Sequence, residues 1–503
     1  MKISEISSIE RNGIDIIPEQ DRTSSPKDLF RLIFGGANTF ATVVLGSFPI
    51  LFGLSLSAGM CAILLGVFIG SIILAPMGLF GPINGTNNAV SSGAHFGIHG
   101  RIVGSFLSLL TAITFFALSV WSSGDALIGG LRRTIGLENS HVNLSIAYAC
   151  FAFVVLLISI YGYKWLLLVS KFAVFTATAM FVLGFFAFFP EIDFAYQGHT
   201  TLGQPGFWAV FIGATLIAMS NPISFGAFLG DWARYIPTKT SKISIMMAVI
   251  FAQMATLLPF FFGLFTAAII AIKAPFYLEE NNYIGGLLAL APDWYYIPLC
   301  IIAIIGGLST GTTALYGTGL DISSIFPKLL NRIQATILTG ILSVLLIFIG
   351  RFVFNLTLAV STFACLIIVC TTPWIMIMVI GFIQRKGYYN AQDLQVFNRG
   401  EHGGVYWFHH GWNWRGMIAW IPSAIIGVMF VNIPGQFVGV LGNIFSGIDM
   451  SLIITIALST AIYLFLLKLF PEPAEVYAPA FPTIMTENNP DDTWTTSSLD
   501  GRK

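Results

Sequence analysis

Apolar stretches of about 18 or more residues, each long enough to cross a hydrocarbon core, recur along this chain. Twelve can be counted, centred near residues 42, 67, 115, 152, 175, 217, 255, 307, 342, 368, 423 and 460. Inside a bilayer no water is available to the backbone, so each spanning segment must satisfy its own N–H and C=O groups, and a helix does this within one segment. Only 10% of the residues are charged, against about 25% in a soluble domain. Fifty glycines sit largely within the apolar runs, a habit of membrane helices. The fold class expected is therefore all-α and polytopic, with about 12 transmembrane helices. The stretches near 115, 255 and 368 exceed about 20 residues and are expected to tilt.

Charge placement gives an independent test of that count. With the N-terminus on the cytoplasmic side, the outer connections hold only Arg132, Arg133, Lys273 and Arg351, and the rest of the 24 Lys and Arg fall on the inner side or at inner helix ends. One missed helix would scramble this alternation. The expectation is a multi-pass protein of the cell membrane with both termini in the cytoplasm. The first thirty residues are rich in charge and do not read as a secretory signal. No basic surface or nucleic-acid motif appears. Cys61, Cys150, Cys300, Cys365 and Cys370 lie in or beside apolar runs without metal-site spacing and read as packing residues.

Two apolar stretches are interrupted. "FGGANTFATVVLGSFP", Phe34 to Pro49, carries Gly35, Gly36, Asn38 and Thr39 in its middle; "SNPISFG", Ser220 to Gly226, repeats the device. Glycine and proline weaken the helix ladder, and a freed carbonyl in lipid is costly unless it lines a cavity or meets an ion. Paired interruptions in the two halves of a chain point to a transporter's binding site.

The stretch Ile304 to Asp321, "IIGGLSTGTTALYGTGLD", is the most polar material in the middle of the chain. Two readings are open. The adjacent hydroxyls of Ser309 and Thr310 could offer neutral oxygens to a hard cation, or the small residues could simply let helices pack closely. Ionisable residues within the runs are few: Asp125, Asp231 and Asp321. Asp231 precedes Arg234 by three residues, a spacing that allows a structural or gating ion pair across one turn. No outer or midplane pair reads as a proton relay. His402, His409 and His410, in the long inner loop, read as interfacial anchors rather than a metal site.

Taken together, "GGANTF", "GAFLGDWARYIP", "STGTTALYGTGLD" and "GWNWRGMIAWIPSAIIG" make the chain resemble the nucleobase–cation symporter-1 family, the purine/cytosine permease-like transporters of cytosine, allantoin and hydantoins. The resemblance runs from about Leu32 to Phe470. It implies the five-plus-five inverted-repeat fold of sodium–amino-acid symporters with two added C-terminal helices. It also implies a flat heterocycle held among helices one, three, six and eight, with Na⁺ as coupling ion in many members and H⁺ in some. Carried over by position, the Na⁺ site would use Gly36, Thr39 and Gly306 with Ser309 and Thr310. The substrate site would use the aromatic rings of Phe40, Phe115 and Phe225, while Asn38, Asn221, Ser224 and backbone groups at the sixth-span break stand in for missing amides. Ala112 falls where a Gln reads the base in cytosine-type members, and Gly311 where an Asn is expected, which argues against cytosine itself.

The function expected is therefore secondary active import of a nucleobase or related heterocycle by cation symport, with Na⁺ and no organic cofactor, and no enzyme activity. The alternatives are H⁺ coupling, or a same-fold transporter of a vitamin such as thiamine or of an amino acid. The partners expected are a small heterocycle and the lipid bilayer. The expected organisation is an N-terminal tail (1–28), a ten-helix core (29–385), a cytoplasmic loop (386–413), two further helices (414–470) and a disordered tail (471–503).

Overall fold

A computed structural model of the chain describes residues 13–477, save 139, 327, 354–355 and 434–436; from 349 to 366 it describes no side chains. The side chains of Arg351 and Cys365, and the outer parts of both expected tails, 1–12 and 478–503, lie outside the described residues.

Nine helices among the described residues are long and apolar enough to cross a membrane: Leu56–Asn84, Ile102–Ile135, His141–Tyr161, Tyr163–Glu191, Phe207–Ala233, Lys242–Lys273, Asp293–Ile325, Ile367–Gln384 and Ser451–Leu469. A pair bent by 61°, Pro26–Ala37 and Phe40–Leu51, makes one broken span, and the shorter apolar helices Arg332–Phe348 and Trp414–Phe430 complete the set. In chain order these are spans one to twelve, and each centre expected from the sequence falls on one of them. The first span starts on a strong cap: Ser25 and Asp28 form a capping box ahead of Pro26, which satisfies two orphan donors of the first turn.

Packing repeats between the halves. The first span packs on the seventh as the sixth packs on the second; the third on the fourth as the eighth on the ninth; the fifth on the eighth as the tenth on the third. Exchanging each of spans one to five with its counterpart in six to ten maps these contacts onto one another. That is the signature of a five-plus-five repeat. The third and eighth spans, counterparts of each other, share the most extensive contact. Close approach of the first and seventh spans requires glycine at Gly46, where an added Cβ would sit 2.1 Å from Phe260 O. Spans eleven and twelve pack on each other and on the tenth.

The chain ends are more ordered than expected. Ile14 and Ile17 are buried, Gln395 Nε2 donates to Ile14 O at 3.1 Å, and Arg22 donates to Pro82 O at 2.9 Å. Beyond Pro471, expected to be disordered, Glu472 is buried and pairs with Arg385 at 2.8 Å, while Asn413 donates to its other oxygen at 2.8 Å. A buried carboxylate so paired fixes the chain that carries it, because removing either partner would strand a charge. Both described ends and the 386–413 loop thus share one face of the bundle.

Candidate substrate and cation site

The break in the first span follows from its residues. Gly35 and Gly36 are poor helix formers, and Thr39 is extended (φ −142°, ψ 168°). The freed carbonyls are taken by hydroxyls: Thr42 donates to Ala37 O at 2.5 Å, and Thr310, from the eighth span, donates to Gly36 O at 2.6 Å. Thr310 Oγ1 also lies 3.2 Å from Gly306 O. Gly306 lets the eighth span come this close, since a Cβ there would sit 2.9 Å from Asn38 O. Gly36 O, Gly306 O and Thr310 Oγ1 thus form a cluster of three oxygens. Ser309, buried beside them, has its hydroxyl 3.4 Å from that of Ser170 in the fifth span. Thr39 O accepts from Val43 N at 3.1 Å, beginning the second half of the span.

Next to this cluster is an enclosed cavity of about 10 Å³, lined by Gly36, Thr39, Thr42, Phe115, Asn221, Phe225, Phe228, Thr310, Thr313 and Ala314. That is room for roughly one water. Spans one, three, six and eight therefore meet here, and six residues singled out from the sequence line the space: Gly36, Thr39, Phe115, Asn221, Phe225 and Thr310. The others lie behind it. Phe40 is buried in the apolar core. Asn38 donates from Nδ2 to Thr178 Oγ1 at 3.3 Å, and its Oδ1 has no partner. Ser224 turns back onto Asn221 O at 2.6 Å. Phe225 and Phe228 are backed by Trp232, with ring centroids 5.8 and 5.4 Å away.

Sequence reasoning passed over Thr42 and Gln253, and noted Phe228 among the aromatics and Thr313 among the hydroxyls without giving either a place in the site. Gln253, fully buried on the seventh span, accepts from Asn221 Nδ2 at 3.2 Å and so fixes the amide that lines the cavity. Its signal was in the sequence, as a lone amide in the apolar run "VIFAQMATLL".

Two expectations need correction. The sixth span is interrupted at Phe225–Phe228 rather than across Ser220–Gly226: Ser220–Ser224 remain helical, and the span runs on as one unit from Phe207 to Ala233. Its turn is closed by short bonds of its own, Phe225 N to Pro222 O and Gly226 N to Ile223 O. Asp231 and Arg234 are both buried but do not hydrogen-bond to each other. Arg234 reaches Gly13 O at 2.5 Å and Tyr316 OH at 3.0 Å, and among the described residues no cationic side chain hydrogen-bonds to Asp231.

Residues 16–455 match the family described as "Permease for cytosine/purines, uracil, thiamine, allantoin". The chain belongs to this family. It is 26% identical over 487 residues to YxlA of Bacillus subtilis, which carries the name purine-cytosine permease, covering 92% of this chain and 96% of YxlA. It is 24% identical to the vitamin B6 transporter TPN1 of Saccharomyces cerevisiae over 68% of this chain and 60% of that protein. Among solved structures it is similar to Mhp1, a nucleobase-cation-symport-1 family transporter, closed with bromovinylhydantoin bound: TM-score 0.73, 17% identity, covering 93% of this chain and 98% of Mhp1. A Na⁺-coupled sialic acid symporter matches at TM-score 0.55 and 13% identity over 90% and 91% of the two chains. These likenesses agree with the five-plus-five repeat and two added helices read from the packing. The protein is a membrane transporter of the purine-cytosine permease family, not an enzyme.

Proposed function

We propose that this transporter imports a nucleobase or related nitrogen heterocycle across the cell membrane by symport with Na⁺. The observation that carries the reading is the meeting of the first-span break with Thr310 beside a cavity walled by Phe115, Phe225 and Phe228. An unwound helix supplies bare carbonyls for a cation, and two aromatic walls suit a flat ring, each stacked face adding roughly 1–3 kcal/mol by analogy with base stacking.

In this reading Gly36, Thr39 and Gly306 offer carbonyls and Ser309 and Thr310 offer hydroxyls to Na⁺. Thr310 would give up its bond to Gly36 O and turn a lone pair to the ion. Phe115 and Phe225 would hold the ring and Asn221 its polar edge, with Phe40, Asn38 and Ser224 as supporting residues. Asp231 and Arg234 would belong to the inner gate. The cavity is far below the several hundred Å³ of an occupied small-molecule pocket, so ligand entry must part the aromatic walls. Both termini would lie in the cytoplasm, a reading that the Lys and Arg distribution supports. Residues 29–385 would form the transport core, with 414–470 as its two added helices. The likeness to TPN1 favours one further substrate class, a B6-type pyridine vitamin, which is also a flat heterocycle.

Thermal unfolding of the purified protein against purines, pyrimidines, allantoin, hydantoins, thiamine, B6 vitamers and amino acids, in Na⁺ and in choline, tests this. A ligand that binds the native state raises the melting temperature by mass action. A heterocycle should do so, and more strongly in Na⁺. Stabilisation by amino acids alone would overturn the substrate class, and equal shifts in choline would overturn the ion.

A further inference from the structure

Away from that cavity, a second polar cluster lies between the sixth and eighth spans, near the face that carries both chain ends. Asp231 and Asp321 are 1% and 0% exposed, and among the described residues no cationic side chain hydrogen-bonds to either carboxyl group. They share one environment. A Cβ at Gly317 would lie 3.1 Å from Asp231 Oδ2. Gly317 is one turn before Asp321 on the same helix face, which brings the Asp321 carboxyl beside that of Asp231. The neutral side chains nearest the two carboxyl groups are Asn87, beside Asp231, and Ser108, beside Asp321.

The cationic side chains on the surrounding elements are distributed unevenly. Arg234 acts on Asp231 from the same span while bonding Gly13 O and Tyr316 OH. Arg332 donates to Ser159 O and Ile160 O and lies over the Tyr316 ring. Arg101 donates to Ser324 O at 2.8 Å and Asn398 Oδ1 at 2.6 Å. Tyr316 and Tyr235, whose hydroxyls lie 3.4 Å apart and both meet the Arg234 guanidinium, are the neighbouring phenols. Among the described residues, Arg234 is the guanidinium that acts on this pair of buried carboxyl groups. A bare carboxylate taken out of water costs several kcal/mol unless paired, and two side by side do not both ionise cheaply.

We propose that Asp321 is a proton-binding site, with the Asp231 carboxyl as its neighbour across the sixth and eighth spans. Binding forms one O–H bond on the Asp321 carboxylate at the expense of hydronium. The same bond breaks, returning H⁺ to water, when the sixth and eighth spans part on the face read above as cytoplasmic. The transporter would then carry a proton site distinct from the oxygens around Thr310. The proposal rests on the functional reading only for the identity of that face.

Infrared spectroscopy of the purified full-length protein tests this without any substrate. The wild type at neutral pH should show a carboxylic-acid C=O band that shifts in D₂O. Asp321→Asn should abolish it and Asp321→Glu should restore it at a shifted frequency. Asp231→Asn should keep the band but move it, because the neighbouring carboxyl is replaced by an amide. Absence of the band in the wild type, which needs no variant, overturns the proposal, as does its persistence in Asp321→Asn. A band that disappears when Na⁺ replaces choline would assign the pair to the metal cation and also overturn it. None of these outcomes bears on which heterocycle the cavity takes.

Discussion

The first and sixth spans hold corresponding places in the repeat, and both are interrupted, but they satisfy their freed backbone differently. In the sixth, the turn at Phe225–Phe228 closes on itself through bonds to Pro222 O and Ile223 O, and only Gly226 O takes an outside partner, Asn88 Nδ2 at 2.9 Å. In the first, the axis turns by 61° and Gly36 O depends on a hydroxyl from another span, Thr310. A break that satisfies itself can hold a rigid aromatic wall. A break completed by a neighbour's hydroxyl can exchange that hydroxyl's proton for a cation, and filling it would brace the first span against the eighth. On the proposed function, this difference gives the ring a wall in the sixth span and the ion a place at the first-span break, completed by the eighth span.

Gly306→Ala strikes the first break hardest, because its Cβ would press on backbone, Asn38 O at 2.9 Å. Overpacking of this kind costs about 1–3 kcal/mol, seen as a lower melting temperature together with loss of Na⁺ dependence. Gly311→Ala is the control: its Cβ would meet the Ser119 hydroxyl at 2.9 Å, a side chain that can rotate, so a smaller loss is expected. Asn88→Ala leaves Gly226 O and Met77 O without their amide donor. It should destabilise by about 1–2 kcal/mol while leaving the Na⁺ response intact. A changed Na⁺ response would show that the two breaks are not independent. Gln253→Leu removes the acceptor that holds Asn221. It should weaken ligand binding about fivefold, roughly 1 kcal/mol, with no effect on Na⁺ binding alone.

Spans were legible because each needs only a long apolar run, a local property. The first break was legible for the same reason, since Gly35, Gly36, Asn38 and Thr39 are neighbours in sequence. The sixth was displaced by one turn: Pro222 marks where a backbone donor is missing, yet the helix continues to Ser224 and loosens only at Phe225, beside Gly226. What depended on distant partners was not legible. Gln253 gains meaning only from Asn221, and Glu472, in a stretch rich in Pro and acidic residues, is ordered by Arg385, 87 residues away. The Asp231–Arg234 spacing suggested a pair, but Arg234 is drawn instead to Tyr316 and Gly13, contacts that exist only after folding.

Equilibrium binding of radiolabelled Na⁺ to the purified protein is the most direct measurement of the ion's place at the first break. Wild-type protein should bind Na⁺ saturably, and Thr310→Ala, which removes the hydroxyl that completes Gly36 O, should weaken that binding by at least about tenfold, roughly 1.4 kcal/mol, while still folding. An unchanged Na⁺ isotherm in folded Thr310→Ala, or no saturable Na⁺ binding by the wild type, would contradict it.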